Sequence, residues 1–241
     1  MNVTAFLHME PQRLLMDDMR SSVQSHSLLG VIANGANRLS EIASRLAKNA
    51  ASLSRPLENL IDLGYIRREI PFGTDPKAAK RSLYKIADPF LLFWYRCVQP
   101  YVALLEQDQI TAVESLNKER FVRQVAEIWE ELARESVPRL KIGNIDWMPA
   151  QRFWGNDRDG DQIEIDIVAR SVDGEHILIG EAKTGAISVE SVLKNLESKA
   201  ARVCFTENKK LVYACWSAKG KTSRSGTISV FNADRIFDAM R

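Results

Sequence analysis

Apolar residues recur first at helical spacing and later at strand spacing, and the change falls at Pro138. From Gln24 to Asn34, the positions Leu28, Leu29, Val31 and Ile32 mark a helix, which Gly35 ends because glycine adopts the left-handed cap without steric cost. A second helix follows Leu39-Ser40-Glu41, with Ser40 as its candidate cap and Ile42, Ala43 and Leu46 facing inward. A third spans about Ser52 to Leu63, with Leu53, Leu57, Leu60 and Ile61 on one stripe and Gly64 at its end. Tyr65 to Pro71 then reads as a strand and Ser82 to Ile86 as its returning partner across a polar loop. Asp88 caps a strongly aromatic helix with Pro89 in its first turn, and another helix runs from about Asn117 to Glu135. Beyond Pro138, strands are expected at 147–153, 162–169, 176–182, 210–216 and 227–232. Helices are expected at 189–202 and after the cap Asn232.

Three short helices followed by a hairpin is the order of a winged helix-turn-helix, in which a trihelical core presents its third helix and the hairpin reaches a neighbouring backbone. Between Gly64 and Lys85, six basic residues, Arg67, Arg68, Lys77, Lys80, Arg81 and Lys85, stand against Glu69 and Asp75. The third helix carries Ser52, Ser54, Arg55, Glu58 and Asn59, types that touch phosphates or bases without making the helix strongly basic. Nucleic-acid contacts are therefore expected at Arg55, Arg67, Arg68, Lys80 and Arg81. A solvated charged face and a protein-docking surface stay open beside that reading. The aromatic run Phe90-Leu91-Leu92-Phe93-Trp94-Tyr95 is expected in a core or interface rather than under stacked bases.

The second half reads as helix, three-stranded meander, helix, strand, an α/β (α+β) sandwich with its chemistry on two strands. In Glu164-Ile165-Asp166-Ile167, a period of two puts both carboxylates opposite Ile163, Ile165 and Ile167. On the next strand, Glu181 and Lys183 share a face at the end of the apolar run Ile177-Leu178-Ile179-Gly180. Charges placed there cost desolvation unless they are paired or bind a cation. Two carboxylates from adjacent strands are hard oxygen ligands suited to Mg²⁺, or Mn²⁺ as its substitute, and a lysine beside them neutralises or orients what the metal holds. A structural salt bridge from Lys183 to Asp166 or Glu181 is the competing account.

Charge sharpens the picture where composition does not. The 241 residues carry a net charge of only +2, from 33 Lys and Arg against 31 Asp and Glu. Yet the stretch from Lys183 to Arg224 holds nine basic residues against three glutamates, so a second basic surface follows the Glu-x-Lys strand. With 45% hydrophobic and 27% charged residues, the chain is expected to be globular rather than disordered or collagen-like. Three cysteines without paired spacing argue against a disulfide framework or zinc ribbon. No apolar run approaches membrane-spanning length and no leader pattern opens the chain, so a cytoplasmic protein without membrane association is expected.

Asp166 followed after fourteen residues by Glu181-Ala182-Lys183, with Glu127 on an upstream helix, resembles the PD-(D/E)xK restriction-endonuclease-like fold. Together with the winged helix and the block Asp88-Pro89-Phe90-Leu91-Leu92-Phe93-Trp94-Tyr95-Arg96, it resembles the C-terminal half of archaeal-type ATPases of the signal-transducing NTPase group. That resemblance implies an extension at 1–20 like the tail of an ATPase module, through Glu10-Pro11 and Leu14-Leu15. It further implies a winged helix at 21–87, an aromatic linker helix at 88–116 and a nuclease-like domain at 117–241. Asp166 and Glu181 would hold the metal, Lys183 would position or activate water, and Glu127 would match the acidic residue of the first core helix, with Glu130 and Glu131 as competitors. Glu164 falls outside the implied ligand set.

Other motifs fail. Gly220-Lys221-Thr222 follows a strand, but a phosphate-binding loop needs glycine where Cys215 stands and a helix afterwards, so no ATP hydrolysis is expected of this chain. His8, His26 and His176 lack metal-ligand spacing. Two functions remain: a Mg²⁺-dependent nuclease that binds DNA, or a non-catalytic DNA- or protein-binding regulatory module. An ATPase domain in cis or in trans is the implied partner, and self-association stays open.

Overall fold

The computed structural model describes residues 22–77, 79, 81–220, 223–225 and 227–241. The 1–20 extension and Lys80 lie outside them. The described residues form a mixed α and β structure with two sheets and two compact units, one comprising 22–69 with 81–124 and the other the described residues of 70–80 with those of 125–241. Among the described residues no helix is long and apolar enough to cross a membrane.

In the first unit, α1 (Ser22–Ala33), α2 (Leu39–Arg45) and α3 (Ser54–Asp62) precede a hairpin of β1 (Ile66–Glu69) and β2 (Leu83–Ile86). The apolar stripes expected on these helices form one core, with Leu28, Leu29, Ile42, Leu57 and Leu60 buried. Gly35 and Gly64 end α1 and α3 at φ of 93° and 77°, where a side chain would be strained. Ser40 does not cap α2, which begins one residue before it. The Glu41 carboxylate reaches back to the backbone N–H groups of Asn37 and Arg38, at 3.1 Å each. The carbonyls at the C-terminal end of α1 accept from guanidinium groups, Ala33 from Arg96 at 2.9 Å and Asn34, just past the helix, from Arg45 at 2.8 Å.

After the cap Asp88, α4 (Pro89–Phe93) continues into a wide π-helical turn over Trp94–Val98. Leu91, Trp94 and Tyr95 complete the first core, so this segment packs within the first unit. His26 sits between the Tyr95 hydroxyl at 2.8 Å and the Gln99 amide at 2.7 Å, and burial lowers its pKa. A short α5 (Val102–Leu105) leads to α6 (Ile110–Ser136), which begins seven residues before the expected Asn117. From α6, Asn117, Arg120 and Gln124 donate to the carbonyls of Cys97, Arg96 and Pro89 at 2.7, 3.0 and 3.1 Å. The spacing of i, i+3 and i+7 makes these three a polar stripe aimed at backbone.

The second unit is a six-stranded mixed sheet. Its strands are β3 (Gln151–Asn156), β4 (Gln162–Arg170), β5 (His176–Lys183), β6 (Lys210–Ser217), β7 (Ser223–Ser225) and β8 (Ile228–Phe231), in the order β3-β4-β5-β6-β8-β7. The first three form an antiparallel meander, while β6 and β8 run parallel to β5, reached through α7 (Val189–Ala201). The strand β7 was absent from the sequence expectation. Asn232 caps α8 (Ala233–Met240) as expected, accepting from the Arg235 N–H at 3.0 Å. Two apolar layers flank the sheet. One contains Trp129, Ala133, Ile167 and Trp216, and the other Ile163, Ile165, Val168 and Leu196.

That division corrects the expected β4 pattern. Ile163 and Ile165 face one layer, but Ile167 faces the other, because the pairing of β3 with β4 shifts between Gln151↔Val168 and Phe153↔Ile165. One residue of β3 there opposes Asp166 and Ile167, a β-bulge that inverts the alternation beyond it. The side that Ile167 faces is tightly packed. A Cβ built on Gly180 of β5 would lie 2.6 Å from Cζ3 of Trp216, whose indole donates to Ser136 Oγ at 3.0 Å and is fixed in place. Gly180→Ala should therefore destabilise the protein by about 1–3 kcal/mol, the usual cost of overpacking. Urea unfolding measures this, and an unchanged midpoint would show that the indole yields freely.

Candidate carboxylate site at the parting of two strands

The pairing of β4 with β5 runs from Arg170↔Ile177 to Ile167↔Gly180 and stops at the bulge. Beyond it the strands separate, and the next partners on each are the carboxylates Asp166 and Glu181. Side chains take over the freed backbone groups. The Asp166 carboxylate accepts the Ala182 N–H at 3.1 Å, and the Asp166 carbonyl accepts from Arg134 Nη1 at 3.0 Å. Arg134 is buried on α6 and lies 3.9 Å from Glu130.

Glu181 is only 6% exposed. Its Oε1 meets Lys183 Nζ at 2.6 Å, and its Oε2 accepts from Asn195 Nδ2 of α7 at 2.9 Å. Burial opposes its charge, but these hydrogen bonds and the charge of Lys199 outweigh that and hold the carboxyl below its ordinary pKa. The contact raises the pKa of Lys183 in turn. Asp166 behaves oppositely. Burial pushes its pKa up, Glu181 and Glu164 add to the rise, and the Ala182 N–H and Lys199 act against it. Cys215, opposite Glu181 on β6, is pushed to about 12 by burial first and Glu181 next, so it stays a thiol. The oxygen donors Asp166 and Glu181, without a thiolate, fit a hard divalent cation of the Mg²⁺ type.

The expected residues separate into groups. Asp166, Glu181 and Lys183 come together. Glu164 is turned to Arg152, with Nε at 2.8 Å. Glu127 is half-buried on α6, seven residues before Arg134, or about 10 Å along the helix axis. Glu130 is the glutamate beside Arg134. Sequence reasoning missed Arg134, Asn195 and Lys199. The last two lie four residues apart on α7, beside its buried face of Val192, Leu196 and Ala200. A polar border of that kind is ordinary on an amphipathic helix and carried no signal.

On the first unit, Arg55 is exposed on α3 and Arg68 on β1, Arg67 is half-buried opposite Lys85, and Arg81 is exposed before β2. Arg67 and Arg68 are consecutive in a strand and so point to opposite faces. Lys85 pairs with Glu69 at 2.9 Å. The loop 70–80 joining the hairpin belongs to the second unit, where Phe72 stacks edge-on with Phe205 at 5.1 Å and its N–H donates to the Arg152 carbonyl at 2.9 Å. Histidine spacing gave no metal site, yet the turn before β5 brings ligand atoms of Asp173, Glu175 and His176 within 4.8 Å of one another. Its carboxylates are engaged, Glu175 with Lys210 at 3.0 Å and Asp173 with the Glu175 N–H at 2.9 Å.

The profile of the DUF234 family, archaeal and bacterial proteins of unknown function, matches residues 94–199, a span that contains Asp166, Glu181, Lys183 and Asn195. An uncharacterized protein of Methanocaldococcus jannaschii is 24% identical over 238 residues, covering 96% of this chain and 52% of its own length. The chain thus spans about half the length of that curated relative. No solved structure matches.

The raised pKa of Asp166 has a measurable consequence. Between the unfolded and folded pKa values the native protein binds the extra proton, so stability falls as pH rises through that window, and above it the buried carboxylate opposes folding. Asp166→Asn keeps an oxygen for the Ala182 N–H and removes the charge. It should raise the melting temperature at pH 7 in metal-free buffer, with the gain vanishing below the ordinary carboxylate range. A lower melting temperature for the variant at pH 7 would refute this.

Proposed function

We propose that this chain binds nucleic acid and that its second unit hydrolyses phosphodiesters with a divalent metal, in the manner of PD-(D/E)xK nucleases. The observation that carries the reading is the pair Asp166 and Glu181, set side by side where β4 and β5 part, with Lys183 on Glu181 at 2.6 Å. The order α6, β3-β4-β5, α7, β6 supports a restriction-endonuclease-like core, and three helices followed by a two-stranded hairpin support a winged helix in the first unit. Fold likeness alone would not carry an activity, so the weight rests on the site.

On this reading Asp166 and Glu181 hold the metal, which when bound supplies Lewis-acid stabilisation of charge on the phosphoryl oxygens. The bulge and Arg134 fix the Asp166 backbone. The Ala182 N–H fixes one oxygen of its carboxylate. Lys183, on a half-exposed side chain, exchanges its contact with Glu181 for the attacking water or a phosphate oxygen. The exposed Arg55, Arg68 and Arg81, with Arg67 and Lys80, would meet the backbone of DNA. The resemblance to the C-terminal half of archaeal-type ATPases makes an ATPase domain, in cis or in trans, the proposed partner.

A second reading has its own support. A lysine bonded to Glu181 is also what a site kept for structure would hold, and the chain would then be a regulatory module that docks DNA or protein. One experiment separates them: incubation of the full chain with single- and double-stranded DNA and with RNA, with Mg²⁺, with Mn²⁺ and with chelator. Metal-dependent cleavage lost in Asp166→Ala and Lys183→Ala supports the nuclease. Equal cleavage by wild type and both variants exposes a contaminant and rejects it, as does no cleavage under any condition. Binding is measured separately. Replacing Arg67, Arg68, Lys80 and Arg81 should flatten the salt dependence by roughly 0.9 in logarithmic slope for each lost phosphate contact. An unchanged slope removes the hairpin from the interface.

A further inference from the structure

We infer that Asn195 is a positioning residue of the carboxylate site, holding Glu181 by one oxygen so that the other, Oε1, is the one offered to a divalent cation. The inference rests on the metal reading above and adds to it a residue and an assignment of oxygens.

The two partners of Glu181 differ in kind. Asn195 belongs to α7, which is anchored by Val192, Leu196 and Ala200, and it reaches Oε2 at 2.9 Å. Lys183 reaches Oε1 at 2.6 Å from a flexible stem that is half exposed. An ammonium on four rotatable carbons exchanges partners readily, whereas an amide on a packed helix does not. Oε1 is therefore the exchangeable position. The chemistry of the amide matters as well. A carboxylate only accepts, so the nitrogen of Asn195 must face it, and that nitrogen is a neutral donor. It fixes the rotation of Glu181 without cancelling the charge a cation needs. Lysine at this position would cancel it, and Lys199, one turn further along α7, already places a positive charge near both carboxylates. Without the amide, Glu181 is free to turn toward Lys199 instead of the metal.

Asn195 is itself exposed and packs little of the core, so its loss should cost the fold no more than the one hydrogen bond to buried Glu181, which Asn195→Gln can restore. That separates positioning from structural support. The test titrates the full chain with Mn²⁺ by calorimetry in the absence of nucleic acid, for wild type, Asn195→Leu, Asn195→Gln and Asp166→Ala, with urea unfolding of each. Asn195→Leu should weaken Mn²⁺ binding about 10-fold or more, the usual effect of removing a group that orients a metal ligand. Its unfolding midpoint should fall only slightly, by the loss of one hydrogen bond, and Asn195→Gln, which restores an amide donor, should recover the midpoint and most of the affinity. Wild-type affinity in Asn195→Leu overturns the assignment and leaves the metal reading standing. A loss that Asn195→Gln does not recover, together with a lowered midpoint, marks Asn195 as structural and also overturns it. A wild type that binds Mn²⁺ no better than Asp166→Ala removes the metal reading and this inference with it.

Discussion

A charged group at the end of a buried strand needs partners that water can no longer supply, and the centre of the sheet is bent to provide them. If β4 and β5 continued their ladder past Ile167↔Gly180, the backbone groups of residues 165, 166, 181 and 182 would pair with one another. The bulge at Asp166 and Ile167 breaks that pairing. The Ala182 N–H then falls to the Asp166 carboxylate and the Asp166 carbonyl to Arg134. The same bulge moves Ile167 into the layer of Trp216 and leaves Ile165 in the layer of Leu196, so both apolar layers depend on it. A single extra residue thus sets the core and opens the place where two carboxylates sit.

Helix α6 meets a comparable requirement in both units. Asn117, Arg120 and Gln124 donate to carbonyls of the segment containing the π-helical turn, and further along Arg134 donates to the carbonyl of Asp166. The carbonyls of Arg96 and Cys97 lie in the π-helical turn and that of Asp166 at the bulge, where regular hydrogen bonding is interrupted, and an unmet carbonyl in such a place costs about as much as a lost hydrogen bond. The helix carries polar residues on faces that ordinarily would be apolar because backbone, rather than side chains, lies against them. Trp129 on the same helix donates to the Trp216 carbonyl at 3.0 Å, which extends the pattern into the apolar layer itself.

Much of this was legible in the sequence, and the unread part has physical causes. Helical stripes such as Leu53, Leu57 and Leu60, the caps Asp88 and Asn232, and the strands at 162–170 and 176–183 follow from local spacing, which the packed structure keeps. The meeting of Asp166 with Glu181 and Lys183 could be anticipated because adjacent strands of a meander bring such residues into register. The bulge could not, since period-two reading assumes an unbroken ladder and an inserted residue has no composition of its own. Arg134 and Asn195 act across long sequence separations, one on a carbonyl and one on a carboxylate, and neither contact leaves a local trace. Nor did the hairpin announce that its loop belongs to the second unit, because Pro71 and Phe72 read equally well as a turn.

The charges around the site bear on what it could accept. Asp166 and Glu181 carry two negative charges when ionised, and Lys183 and Lys199 carry two positive charges near them, so the set balances as it stands. This balance lets Glu181 remain ionised at 6% exposure. On the proposed reading, a divalent cation added to the set would leave an excess of two positive charges in a half-buried position, which is costly unless an anion arrives with it. A phosphodiester brings that anion. Metal and polyanion should then reinforce one another, each binding more tightly in the presence of the other, and linkage requires the effect to be reciprocal. The lysine contact at Glu181 is consistent with this arrangement, since the ammonium holds the place of a positive charge that the buried carboxylate requires at all times.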